Sequence, residues 1–562
     1  MTKTMERYWN WGLSVLVGIG MFVFWYVAYP HALSYQEQYQ LFLWTGDYFI
    51  EKISLPGGFA DWLGEFIVQF FYVEWLGALL LALLFVALQR VSLRLLENQG
   101  DRSLDTKWNH GPVPMILSMI PVAVVWWLMG DINVMLAWPV AVVLAMAMGW
   151  IVGRLGLLGK LGSLGRLGII GEVVLIPIAY WLIGPMVWIY VMIRLVQVGW
   201  RHLWAAGWLV AVQLTVYAWL LPQWPLPMAM TGLSYYRIPL QYPQWSGYNK
   251  DMYELIRMDY LVRHERWDEI VKRAGAYQVK TPFWSNCVNL ALSQKRLLAD
   301  RMFDFYQSGE DALVMPRTRD LTSMLPSAEA FWRLGMVNSA QRYMFDTQES
   351  ILNGKKSGRC TKRIAECMIV NGHYQTAKKQ LDILKKSLFY SDWAKEMEAM
   401  IEAEIEADQT TPSPSYSGGE TLRDGNRQSY SGGETLRDDN RRSYSGGDRG
   451  VDAHPVYGKL RKMRYKNDFL YSYDEIDKMF GLLLMNNTDN KMALDYFLAQ
   501  MLLNGNVQGF QQYLGAAQQY GGYRQMPLGY QDAMMCIQKQ GNLPGSAYGN
   551  YVKRMMAGRR GQ

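Results

Sequence analysis

Before Pro222 the chain carries apolar runs of membrane-crossing length in close succession, and after Pro222 it carries none. That asymmetry constrains the fold more than any motif. A helix needs roughly 20 mostly apolar residues to cross a bilayer's hydrocarbon core, with its backbone polar groups satisfied inside the segment. Runs of this kind begin near Trp11, Phe66, Val113, Ile132, Leu167, Pro185 and Leu203, which predicts an all-α polytopic bundle of about seven spans. The first, Trp11 to Tyr29, lacks a small-x-small cleavage site after it and reads as an uncleaved helix. Gly184-Pro185, between the fifth and sixth, is either a turn or a kink.

Orientation follows from lysine and arginine in the short loops. Lys3 and Arg7, then Arg90, Arg94, Arg102 and Lys107, then Arg154, Lys160 and Arg166, and finally Arg201 and His202, fall on one side. The alternate connections hold Glu37, Asp47, Glu51, Asp61 and Glu65 with only Lys52, and then Asp131. The pattern places the amino terminus in the cytoplasm and everything after Pro222 outside. The first exterior loop contains HALSYQEQYQLFLWTGDYFIE, His31–Glu51, whose acidity partly follows from its location. Its aromatic and aliphatic residues are too many for a freely solvated loop. A short helix at the membrane interface, packed near the PGGF turn at Pro56–Phe59, is expected. On that reading Glu37 and Asp47 face solvent. Glu172 and Arg194 are intramembrane charges, for which a functional and a structural role are both open.

The polar half divides into 223–407, 408–450 and 451–562. The middle stretch repeats SYSGGETLRDGNRQ from Ser415 in a near-identical unit of 14 residues, with few apolar side chains, and reads as a disordered linker. A second period, glycine at every third position from Gly153 to Gly171, fails the phosphate-loop pattern because Lys160 is followed by Leu161. It reads as an extended cytoplasmic loop. Elsewhere apolar residues return at helical spacing. Ala328, Phe331, Gly335, Ala340 and Met344 share their intervals with Ala365, Met368, Gly372, Ala377 and Leu381, 37 residues on. The series resembles the tetratricopeptide repeat, whose small residues let two helices pack closely, although the family's period is about 34 residues. Residues after the linker, from Asn490, suggest further hairpins.

The chain as a whole resembles an uncharacterised family of multi-pass bacterial membrane proteins with a helical-repeat tail. The resemblance is carried by SYQEQYQLF, PGGFADWLGEFIVQFFY at Pro56–Tyr72, NLALSQKRLLADRMFDFYQ at Asn289–Gln307 and NKMALDYFLAQMLL at Asn490–Leu503. It implies an inner-membrane location and no assigned activity.

A net charge of +7 without a basic block gives no reason to expect nucleic acid as a partner. Cys287, Cys360, Cys367 and Cys536 form no CxxC pair and read as buried thiols. No HExxH, GxSxG or dinucleotide fingerprint is present, no metal ligand set is read, and no cofactor is expected. The leading expectation is a non-enzymatic scaffold in the bacterial inner membrane, with a periplasmic hairpin region that binds an envelope protein or peptide. The alternative is a polytopic glycosyltransferase using lipid-linked sugars, with Glu37 and Asp47 as catalytic candidates, one as base or metal ligand. A transporter is the third reading, resting on Glu172 and Arg194.

Overall fold

The computed structural model describes residues 3–100, 112–158, 164–223, 226, 230, 248–317, 322–351, 355–410, 450–465, 475–520, 523, 525–539 and 543–560. Among them all regular structure is helical. The amino-terminal part comprises α1 (Lys3–Val23), α2 (Pro30–Glu37), α3 (Gly46–Ile53), α4 (Gly58–Val68), α5 (Glu74–Gly100), α6 (Pro112–Leu117), α7 (Met119–Leu128), α8 (Ala137–Leu158), α9 (Leu164–Ile183), α10 (Val187–Val198) and α11 (Leu203–Leu220). Among the described residues five stretches are long and apolar enough to cross a membrane: Trp11–Ala28, Glu74–Glu97, Ala137–Arg154, Ile169–Val198 and Trp200–Leu220. Leu16, Val196 and Trp219 project outward from them uncovered, which suits this part to lipid rather than water. Where the helices do meet, polar side chains bond across them. Ser14 donates to Gln89 at 2.7 Å, and Gln89 donates to Ser118 at 3.0 Å.

The five stretches fall short of the expected seven runs for identifiable reasons. The run expected from Phe66 starts later, because residues 66–72 finish α4 and a 3₁₀ turn, and the spanning helix begins at Glu74. Val113–Leu128 is apolar but short. Ile169–Val198 covers two of the expected runs, and it is not one straight helix. At 1.5 Å per residue, the 22 positions between Glu172 and Arg194 would separate them by about 33 Å. Their side chains instead meet at 2.7 Å. The chain therefore reverses between them, at Gly184, which adopts φ +59 beside Pro185.

The carboxy-terminal part begins with α12 (Lys250–Arg263), α13 (Trp267–Ala276), α14 (Pro282–Gln294) and α15 (Leu298–Arg301). It continues with α16 (Met324–Leu334), α17 (Val337–Glu349), α18 (Gly358–Asn371), α19 (Tyr374–Leu384) and α20 (Ser391–Thr410). Beyond the repeated stretch come α21 (Tyr457–Met463), α22 (Ile476–Asn486), α23 (Lys491–Asn504), α24 (Val507–Tyr520), α25 (Leu528–Gln538) and α26 (Ala547–Arg560). Three hairpins share one device. Gly335, Gly372 and Gly505 each take a left-handed conformation just after a helix, so the chain turns sharply into the next. Ala328, Ala340, Ala365 and Ala377 are fully buried at the helix contacts, where small side chains allow close approach. The helices from α16 to α20 then pack each on the next.

The 14-residue repeat from Ser415 lies entirely outside the described residues, as do residues 159–163 of the expected glycine-periodic loop, whose described residues on either side are helical. The chain on either side of the repeat nevertheless joins one hydrophobic core, running from Met258 to Tyr551. Glu404 accepts the backbone N–H of Val451 at 2.7 Å, so the two flanks already touch. Deleting Ser415–Gly447 should therefore leave stability within about 0.5 kcal/mol of the parent, since loop closure depends only weakly on length. A thermal unfolding curve of the purified deletion variant measures this. A drop of several degrees would mean the repeat contributes contacts of its own.

The loop between α1 and α5 joins the two parts. Its His31–Glu51 stretch lies on two short helices, α2 and α3, with an extended segment between them, rather than the one interfacial helix expected from its aromatic content. Leu41 donates its N–H to the Lys356 carbonyl at 2.8 Å, and Trp44 donates to the Lys386 carbonyl at 2.7 Å. The Leu41 side chain enters the core of the carboxy-terminal part. Extended backbone needs external hydrogen-bond partners, and here the hairpin loops supply them. The expected proximity to the PGGF turn holds: Phe49 packs edge-on against Trp62 at 5.2 Å, and a Cβ on Gly58 would lie 1.8 Å from the Lys52 carbonyl oxygen. Only glycine fits there.

Candidate functional site

A cleft of about 380 Å³ opens between the first loop and the hairpins. Two features of the sequence put charge there. Arg359, Lys362, Arg363 and Glu366 are spaced 3, 4 and 7 positions apart on α18, hence along one helical face. That helix is started by Ser357, whose Oγ accepts the Cys360 N–H at 3.0 Å. From the loop side come Ser34 and Glu37, at the end of α2, and from the foot of α5 comes Glu74.

Glu37 is buried, not solvent-facing as its loop position suggested. Its Oε2 meets Arg263 Nη1 at 3.0 Å, and its Oε1 accepts the Tyr390 hydroxyl at 2.7 Å. Burial alone pushes the Tyr390 hydroxyl up, and the adjacent Glu37 carboxylate adds to it, so the tyrosine stays a donor. Arg263 is likewise held in its charged form, because Glu37 outweighs the cost of burial. Deeper in, Arg359 reaches Asp259 at 2.7 Å and the Gln38 side-chain oxygen at 2.9 Å. Glu329 accepts both of its hydrogen bonds from Arg363, at 3.0 Å each. Burial would raise the Glu329 carboxyl, but Arg363, Arg359 and Arg333 overcome it and hold the group at about 2.

A second cluster lies at α4. Asp61 and Glu65, one helical turn apart, face Lys52 from α3 and Lys355 from the hairpin part. Lys355 is 2.6 Å from Asp61 and 2.7 Å from Glu65, and its side chain is 2% exposed. Lys52 closes the square at 3.0 and 2.9 Å, while Tyr48 donates its hydroxyl to Glu65. Desolvation works to raise Glu65, yet Lys355 and Lys52 hold it down at about 2. Two carboxylates against two ammonium groups make the cluster neutral as a whole, which is what permits its burial.

The other residues singled out from the sequence go elsewhere. Asp47 is exposed in the first turn of α3, whose N-cap Thr45 accepts the Tyr48 N–H at 3.3 Å. There it complements the positive end of the helix. It does not line the cleft with Glu37. Glu172 and Arg194 pair with each other, and His202 Nε2 lies 3.1 Å from the other Glu172 oxygen. All four cysteines are buried and unbridged, with burial pushing the Cys360 thiol up to about 11. Among the described residues no three His, Cys, Asp or Glu side chains gather as metal ligands. Sequence reasoning overlooked Arg263, Lys355, Arg359 and Tyr390 as partners of the loop. It used Asp61 and Glu65 only as markers of sidedness, although two carboxylates one turn apart in FADWLGEFIV signal a buried partner.

Every carboxylate of the two clusters is thus occupied by a cation or a hydroxyl. Chemically this suits fixation of one part on the other more than proton transfer, which needs a carboxylate free to reach its substrate.

A family model described as "Family of unknown function (DUF6057)" matches residues 7–415 and 439–559. No curated protein and no solved structure matches the chain.

Proposed function

Because the chain belongs to that family of unknown function, whose description names no activity, we propose its role from the geometry: a membrane-anchored scaffold that holds a helical-hairpin surface in a fixed pose for an envelope protein or peptide. The observation that carries this reading is the joint. Lys355, Arg263 and Arg359 each cross from the hairpin part to the first loop or α4, and the loop backbone bonds to the hairpin loops. A rigid joint serves a protein that must present a surface at a set height and angle above a membrane. Stacked hairpins offer extended concave surfaces without catalytic residues, and their resemblance to tetratricopeptide repeats fits that use.

The proposal includes a topology. Two legs of the reversed Ile169–Val198 stretch, the short Val113–Leu128 run and the four remaining stretches would make seven crossings. With the amino terminus in the cytoplasm, the hairpins then stand in the periplasm of a bacterial inner membrane. A reporter active only outside the cytoplasm should work when fused after Lys250 and fail when fused near Gly162. The reverse at either position removes one leg from the count. For the scaffold itself, the full-length protein is purified in mild detergent with whatever accompanies it. One envelope protein should recur in stoichiometric amount, and its consistent absence from crosslinked preparations overturns the reading.

One observation favours the glycosyltransferase alternative: Glu37 lines an open cleft whose edge, Glu74, begins a candidate span. Its bonded state argues the other way, since both carboxylate oxygens are already taken by Arg263 and Tyr390.

A further inference from the structure

The cleft is balanced in formal charge but not in hydrogen bonding. Five of its lining residues are Arg or Lys and five are Glu. Four of the carboxylates are engaged by cations. Glu37 is held by Arg263 and Tyr390, Glu329 by Arg363, Glu366 by Arg363 and Tyr457, and Glu265 by Arg333. Glu74 makes no ion pair among the described residues and takes only the Tyr260 hydroxyl. On the basic side, Lys362 also meets no carboxylate within ion-pair distance; its ammonium stands over the Trp393 ring at 4.7 Å. Arg359 Nη2 and Arg333 Nε are buried without a hydrogen-bond acceptor. Arg359 Nη2 is 3.8 Å from Glu329, within Coulombic reach but beyond a bond.

Buried donors left over are costly, and guanidinium donors more so than neutral ones. Three cationic groups with spare donors suit an oxyanion with several terminal oxygens, as on a phosphate ester. The unpaired Glu74 calls for a cation in the same space. The setting is a membrane edge: Glu74 starts the Glu74–Glu97 stretch, and exposed Tyr72 and Trp75 flank it, with Tyr72 stacked on Phe389 at 5.1 Å.

We propose that the cleft binds a phosphate ester carrying a primary amine, its phosphoryl oxygens on Lys362, Arg359 and Arg333 and its ammonium on Glu74. This chemistry has two sources, the headgroup of phosphatidylethanolamine and free phosphoethanolamine. The ligand would neutralise both unpaired charges at once, which neither inorganic phosphate nor an anionic lipid does. This inference stands apart from the scaffold reading, because its measurement involves no protein partner.

The test uses the full-length protein in detergent, with thermal unfolding and titration as readouts. The probes are dihexanoyl phosphatidylethanolamine, phosphoethanolamine, dihexanoyl phosphatidylglycerol and glycine. The ethanolamine lipid should raise the unfolding temperature, and the glycerol lipid and glycine should bind at least about tenfold more weakly, the loss of one charge-assisted contact. Stabilisation by free phosphoethanolamine as well assigns a soluble ligand; stabilisation by the lipid alone assigns the headgroup. Lys362→Gln and Glu74→Gln should each weaken binding about tenfold, while Lys362→Arg retains it. Glu74→Gln keeps an acceptor for Tyr260, so its unfolding temperature without ligand stays near the parent's. Should Lys362→Gln prove unfolded, Lys362→Arg and Glu74→Gln decide the matter between them. Equal binding of the glycerol lipid, unchanged affinity in Glu74→Gln, or no stabilisation by either ethanolamine probe overturns the proposal.

Discussion

Lys355→Met will destabilise the protein by about 3–5 kcal/mol, the cost of leaving buried carboxylates without their partner. The change removes the one ammonium that the hairpin part contributes to the α4 cluster, and leaves Asp61, Glu65 and Lys52 with a net negative charge. Thermal unfolding of the purified protein and protease sensitivity at the joint both report it. Adding Asp61→Asn to Lys355→Met should recover a large part of the loss, since it restores neutrality. A double variant as unstable as the single would mean that Lys355 acts through packing alone. Acid should act on the same cluster from the other side. Glu65 has a folded-state value of about 2 against an ordinary 4.5, so its contribution is complete above about 4.5 and is lost as the pH falls towards 2. The size is about 3 kcal/mol at roughly 1.4 kcal/mol per unit. A joint equally stable at pH 3 and pH 6 contradicts this account.

The second large effect is expected at Glu37. Glu37→Gln keeps the shape but leaves the half-buried Arg263 beside a neutral amide, at a cost of about 3 kcal/mol. Asp47→Asn, on an exposed first helical turn, should cost no more than about 0.5 kcal/mol. This pair separates scaffold from enzyme only when stability is measured beside function. On the scaffold reading, Glu37→Gln loses function in proportion to the unfolded fraction, and function returns at lower temperature. On the glycosyltransferase reading, a catalytic carboxylate supplies about 10²-fold or more, and its loss persists in fully folded protein. Normal folding with lost function at Glu37 would promote the enzyme. Lost function in folded Asp47→Asn would do so more strongly, because the structure gives that exposed side chain only a weak role at the helix end.

Several of these features were visible in the residues alone. Glycines 335 and 372, each preceded by an apolar helical series, mark the hairpin turns, and the structure places both in the left-handed conformation such turns require. The positions of Glu172 and Arg194, nearly symmetric about Gly184, contain the fold-back in principle, since only a reversal brings them together. The burial of Glu37 was not visible. It depends on Arg263 and Tyr390, which follow it by 226 and 353 residues. Lys355 is equally unremarkable in sequence, and its partner Asp61 precedes it by 294 residues.

What the sequence by itself determined is therefore whatever depends on near neighbours: the helical class, the apolar first part and polar second part, the hairpin turns and the membership of one family over nearly the whole chain. Hydropathy and helical spacing are properties of short windows, so a single chain states them directly. Which charges are buried, which pair and where a cleft remains between two parts were decided only by the tertiary structure. An ion pair in a buried site exists or fails over about an ångström of separation, and its partners are chosen by how remote segments dock. The loop charges that looked like an exterior surface became the joint because the hairpin part brought lysine and arginine to meet them.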